Sequence, residues 1–156
     1  MLLNYINNYK DIIETINKYK IINNRDIRLI VVSKTQDYKK VIELEKLGQR
    51  DFGENYLAEA MEKINQIDNP NIIWHYIGAI QSNKIKSLSE NFTWIHTVAS
   101  EKHAQKINDV CKKLNKVMNV CIQINIDNED ARKTVGIQQG DILTVPEKTN
   151  NVYEFS

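Results

Sequence analysis

A lysine that follows directly on a short apolar run is the residue of this sequence best placed to do chemistry. The run is Arg28-Leu29-Ile30-Val31-Val32-Ser33, and Lys34 comes next, before Thr35. A nearly unbroken β-branched stretch of this length suits a strand buried on both faces. A lysine at its end has its stem beside the sheet and its amine at the mouth of whatever site the sheet supports. Partial desolvation disfavours the ammonium form, and a neutral amine can attack an aldehyde. The competing reading is an amine that merely snorkels to water from a strand end. Lys39, Lys63 and Lys112 fall in helical stretches instead and read as ordinary residues of a solvated helix face.

The other chemically capable residues point less sharply. His75 and His96 lie inside apolar runs and lack the i, i+4 spacing of a helical zinc site, so no metal is expected. Each reads as a hydrogen-bonded interior imidazole, with Trp74 and Tyr76 packing on either side of His75. Cys111 and Cys121 are too few for a disulfide framework and read as small buried hydrophobes. Lys84 and Lys86, just after Gln81-Ser82-Asn83, could touch a phosphate or simply face water. No Ser/His/Asp or Cys/His set has a recognisable context, and no glycine-rich nucleotide fingerprint follows a strand.

The elements that must position these residues alternate regularly. Residues 2–22 carry apolar side chains at Leu2, Tyr5, Ile6, Tyr9, Ile12, Ile13 and Ile16, the spacing of one helical face. Further helices are predicted over 37–47 with Asp37 as N-cap and Gly48 as stop, over 56–66, over 82–90 opening at Ser82, and over 100–114. Strands are predicted over 28–33, 50–53, 72–78, 93–98 and 116–126, the last being the longest. Such alternation implies right-handed βαβ units and a parallel sheet, either open and doubly wound or of the β/α barrel type. In both, function gathers where strands end. Those positions are Ser33-Lys34-Thr35, Gly53-Glu54-Asn55, Gly78 to Gln81, Thr97, and Asn125-Ile126-Asp127.

Composition narrows the class. The 156 residues are 42% hydrophobic and 26% charged, ordinary values for a globular chain, and no low-complexity linker divides them. Lys plus Arg number 21 against 20 Asp plus Glu, a formal charge of +1, which argues against a strongly basic nucleic-acid binder. No window approaches a transmembrane span, and the first twenty residues lack the order of a signal peptide. A cytoplasmic protein is the expectation.

Read together, the strand-end phrases form an ordered set: VVSKT at 31–35, FGENY at 52–56, WHYIGAIQSNK at 74–84, WIHTV at 94–98 and QINI at 123–126. In these the sequence resembles the pyridoxal phosphate homeostasis proteins, a family related to the barrel domain of alanine racemases. The resemblance covers about residues 1–137. It implies a parallel (β/α) barrel of the TIM type, with an N-terminal helix, that binds pyridoxal 5'-phosphate (PLP) through a Schiff base. Lys34 matches the family's cofactor lysine, and Asn55 and His75 match positions lining the same pocket.

An eight-stranded barrel takes about 200 residues or more, so about five of its eight strands are expected here, with residues 1–137 as a partial barrel. The family's phosphate-binding segment has no counterpart in this sequence. Residues 138–156 resemble nothing in the family and read as an irregular tail, as in a truncated member. The resemblance implies a non-catalytic PLP binder acting in cofactor homeostasis, with PLP-dependent apoenzymes as recipients. It implies neither nucleic acid nor membrane as partner, and the open sheet edge invites self-association. An inactive fragment is the alternative. A PLP-dependent racemase is the remoter one, since racemases of this type add a β domain.

Overall fold

The apolar runs become five parallel strands hydrogen-bonded in chain order. The structure, a computed structural model, describes residues 3–123. Its elements are α1 (Leu3–Asn23), β1 (Val31–Val32), α2 (Tyr38–Lys46), β2 (Asp51–Glu54), α3 (Leu57–Gln66), β3 (Ile73–Tyr76), α4 (Ile85–Asn91), β4 (Trp94–Val98), α5 (Glu101–Leu114) and β5 (Asn119–Ile122). The sheet order is β1-β2-β3-β4-β5, every pair parallel. A doubly wound sheet reverses its order at a switch point. No reversal occurs among these strands, so the architecture is α/β of the barrel type. No helix among the described residues is long and apolar enough to cross a membrane.

Local signals set the boundaries. Asp37 takes an extended conformation, and its carboxylate accepts the Lys39 N–H at 2.8 Å, which starts α2. The helix stops at Gly48, whose φ of +99° a side chain would strain. Ser100 caps α5 by accepting the His103 N–H, and Asn115 ends it in the left-handed region.

Strand alternation gives the sheet two different faces. Phe52, Trp74, Tyr76 and Ile95 point to the helical layer and pack with Val41, Leu44, Ala60, Ile85, Leu88, Phe92, Ile107 and Cys111. Phe52, Leu88, Phe92 and Ile95 are fully buried there. The opposite face carries Ile30 and Val32 beside Gly53, then the polar side chains of Asp51, His75 and His96. Trp94 lies on this second face, stacked on His75 with ring centroids 5.7 Å apart.

Three predicted boundaries move by three residues. The first strand shortens to two residues because its preceding carbonyl finds a side chain: the Gln49 amide donates to Leu29 O at 2.8 Å, where a strand partner would have stood. The fourth helix opens at Ile85, not Ser82, since residues 82–84 form a turn and the Ser82 hydroxyl bonds His103 instead of capping. The fifth strand starts at Asn119. Lys116 is drawn away to donate to the carbonyls of Ser89 and Phe92 at 2.7 and 2.8 Å. β4 is therefore the longest described strand. The end of the fifth predicted strand, the boundary at residue 137 and the tail at 138–156 lie outside the described residues.

Candidate functional site

Lys34 sits in the turn that leaves β1, and the turn is fastened on both sides of it. The Ser33 N–H continues the ladder by donating to Gly53 O at 3.0 Å, and Gln36 N–H closes the turn on Ser33 O at 3.1 Å. Thr35 adopts φ +60°, an uncommon conformation for a β-branched residue that persists only where its surroundings hold it. Its N–H donates to Glu59 Oε1 at 2.5 Å. Lys34 itself is exposed. The chain turns outward at Lys34, while Ser33 before it points inward and is buried.

Beneath the turn lies a buried charged cluster. The Ser33 hydroxyl donates to Glu54 Oε1 at 2.6 Å. Lys63, reaching up from α3, donates to Ser33 O at 2.5 Å, to Glu54 Oε1 at 2.7 Å and to Glu59 Oε1 at 2.6 Å. Glu54 is fully buried, and Lys63 is 5% exposed. The expectation that Lys63 faces water is thus wrong. Its position on the helix explains why: Ala60, Lys63 and Ile67 share the i, i+3, i+7 stripe, and all three are buried. That spacing was the available signal.

Asn55 follows β2 and stands against the loop after β3. A Cβ on Gly78 would lie 2.0 Å from Asn55 O, so only glycine lets the two backbones meet. Thr97, from β4, donates to Gly78 O at 2.5 Å, and the Tyr76 hydroxyl donates to Ala79 O at 3.1 Å. The exits of β1, β2 and β3 thus converge at one end of the sheet. Asn55 Oδ1 is buried there with no hydrogen-bond partner among the described residues. An orphan acceptor of this kind marks either a strain or a place for a donor from outside the chain.

His75 is committed to a ladder that crosses four strands. Its Nε2 lies 2.8 Å from Asp51 Oδ1, its Nδ1 2.9 Å from His96 Nε2, and His96 Nδ1 3.5 Å from Cys121 Sγ. A carboxylate can only accept, so His75 donates from Nε2. His75 Nδ1 then accepts from His96 Nε2–H, and His96 Nδ1 accepts from the Cys121 thiol. Burial pushes the His75 imidazole below its ordinary value, against the upward pull of its bond to Asp51. Burial and the neighbouring ring do the same to His96, and burial raises the Cys121 thiol. Cys121 is half-buried and hydrogen-bonded, not the plain small hydrophobe expected; Cys111 is buried in the helical core. Lys86 is exposed beside Glu90.

Lys34 and Asn55 therefore share the strand-exit end, while both ring nitrogens of His75 are engaged inside the sheet. Among the described residues no hydrogen bond joins the three side chains, and no group of three or more His, Cys, Asp or Glu could hold a metal ion. Sequence reasoning missed Glu59 and Lys63 and placed Glu54 only as a strand-end position; the three together fasten the Lys34 turn.

Comparison with known proteins agrees with this architecture. The pyridoxal phosphate homeostasis protein of Pasteurella multocida is 38% identical over 128 residues, which cover 81% of this chain and 54% of that protein. PipY of Synechococcus elongatus, solved without PLP, matches with a TM-score of 0.66 at 33% identity, over 70% of this chain and 51% of PipY. PipY with PLP bound gives 0.62 at 30% identity, over 70% and 54%. The chain spans about half the length of the curated relatives it matches. The alanine racemase N-terminal domain family matches from residue 8 to residue 145, and to that family this chain belongs.

Proposed function

We propose that this chain binds pyridoxal 5'-phosphate on Lys34 and serves its homeostasis in the cytoplasm, without catalysis of its own. The observation that carries the reading is the pairing, at one end of the sheet, of an accessible amine on a fastened turn with a buried acceptor that no described residue satisfies. Support comes also from PipY, a relative solved with PLP bound. When bound, PLP supplies an aldehyde able to bond reversibly to an amine. Lys34 Nζ would supply that amine. Asn55 Oδ1 would accept a hydrogen bond from a polar hydrogen of the cofactor, which relieves the orphaned atom. His75, held neutral by burial and fixed in one tautomer by Asp51, lines the pocket from the sheet face instead of exchanging protons.

The finer reading is a reservoir that takes up free aldehyde and yields PLP to dependent apoenzymes. The β1 and β5 edges carry the exposed Val32, Val120 and Ile122, through which copies of the chain would self-associate. Titration with PLP should produce a new absorbance band in the violet. Borohydride reduction and peptide mapping should place the pyridoxyl group on Lys34, and Lys34→Ala should lose the band. An adduct on another lysine, with Lys34→Ala still coloured, would overturn the assignment.

A further inference from the structure

Lys63 is the one buried lysine among the described residues, and its contacts all lead to one place. A lysine ammonium has three hydrogens. Here they go to Ser33 O, Glu54 Oε1 and Glu59 Oε1, at 2.5, 2.7 and 2.6 Å. Ser33 precedes Lys34 directly. Glu59 Oε1 also accepts the N–H of Thr35, which follows Lys34 directly. One buried ammonium thus holds the backbone on both sides of the exposed lysine, directly on one side and through Glu59 on the other. Glu54 completes the clamp by accepting from the Ser33 hydroxyl as well, at 2.6 Å.

A role in stability alone explains this poorly. One carboxylate, Glu54, and one ammonium, Lys63, are taken out of water, Glu59 stays partly exposed, and Glu54 Oε2 is left buried with no partner among the described residues. Well-packed apolar side chains commonly stabilise such a site as well as a buried ion pair or better. What apolar side chains lack is direction. The cluster fixes a β-branched residue, Thr35, at φ +60°, and so fixes the direction in which the chain presents Lys34.

We infer that Lys63, with Glu54 and Glu59, is a positioning residue for Lys34: the buried clamp sets the turn at 33–36 so that the Lys34 amine meets an aldehyde in one orientation. The inference rests on reading Lys34 as the cofactor lysine. The Lys63 ammonium is spent on Ser33 O, Glu54 and Glu59 and does not bond the Lys34 amine. It acts through the backbone of Ser33 and Thr35.

The test compares the full chain with Lys63→Met and with Glu59→Ala, the second altering a partly exposed carboxylate and so sparing the fold if the first does not. Amide exchange followed by NMR without PLP reads the clamp. Thr35 should exchange roughly tenfold faster in either variant, while the sheet amide of Thr93, bonded to Trp74 O, keeps its wild-type rate. PLP titration should show affinity weakened roughly tenfold or more, with a diminished circular-dichroism band of the bound cofactor and the reduced adduct still on Lys34. A folded variant that keeps the wild-type Thr35 rate, or that binds PLP with wild-type affinity and dichroism, would overturn the clamp. An adduct that maps away from Lys34 in the unaltered chain would overturn the cofactor reading itself, and the inference with it.

Discussion

Gly78→Ala is the smallest change with a large expected consequence. The added methyl carbon would lie 2.0 Å from Asn55 O and 2.8 Å from Asn55 C, the first of these 1.4 Å short of the 3.4 Å at which ordinary contact begins. Both obstructing atoms are backbone, so no side chain can swing aside. The loop after β3 must back away from Asn55, and two hydrogen bonds are strained as it goes: Thr97 Oγ1 to Gly78 O at 2.5 Å and Ile77 N–H to Glu54 O at 2.9 Å. Overpacking costs about 1–3 kcal/mol, and each bond lost adds about 0.5–1.5 kcal/mol. A combined loss of about 3 kcal/mol lowers the melting temperature of a chain this size by roughly 10 °C. Thermal unfolding by circular dichroism measures it, and PLP titration should show weakened binding because Asn55 moves. A variant that melts with the wild type and binds PLP equally well would refute the close approach and the part given to Asn55.

Phe52→Ala empties a fully buried site between the sheet and the helices and should cost about 3–5 kcal/mol, read by urea denaturation; a loss below about 1 kcal/mol would mean that the core is not packed as described. The histidine ladder predicts a pH dependence. His75 and His96 are held below their ordinary 6.5, so in mild acid the unfolded chain binds more protons than the folded one, and their contribution to stability falls as pH drops below 6.5. Melting temperature should decline from about pH 7.5 to about pH 5.5 and decline less in His96→Gln; equal slopes for the two proteins would contradict the neutral pair. Light scattering on the purified chain should show association through the β1 and β5 edges, weakened by a lysine at Ile122; a monomer at every concentration would exclude it.

The alternation of strands and helices was legible because each period is local. Phe52, Trp74 and Tyr76 show their inward face by parity, and Asp37, Gly48 and Ser100 announce their caps by type. Lys34 stood out because a charge after an apolar run is conspicuous. Lys63 did not, since a lysine in a polar helix is the ordinary case, and its burial follows only from the stripe it shares with Ala60 and Ile67. Partners from distant strands were beyond any local pattern. Asp51, His75, His96 and Cys121 are separated in sequence by whole βα units and meet because the register brings them together. The short first strand was also hidden, because the group that replaces its partner is the Gln49 side chain.

Strand order also governs how this chain can be built during synthesis. Each strand pairs with the one made just before it, and the paired residues lie only 19 (His75↔Trp94) to 25 (Trp94↔Asn119) positions apart in sequence. At a translation rate of about 5–20 residues per second, the partner of each newly made strand is already waiting on a scale of seconds. Among the described residues every pairing joins strands made one after the other, and none waits for a strand encoded far downstream, as pairings beside a switch point must; the outer edge of β1 alone stays unpaired from the start. The described sheet can therefore grow by addition, one βα unit at a time, in the direction of the ribosome, with each unit closing the edge left by its predecessor.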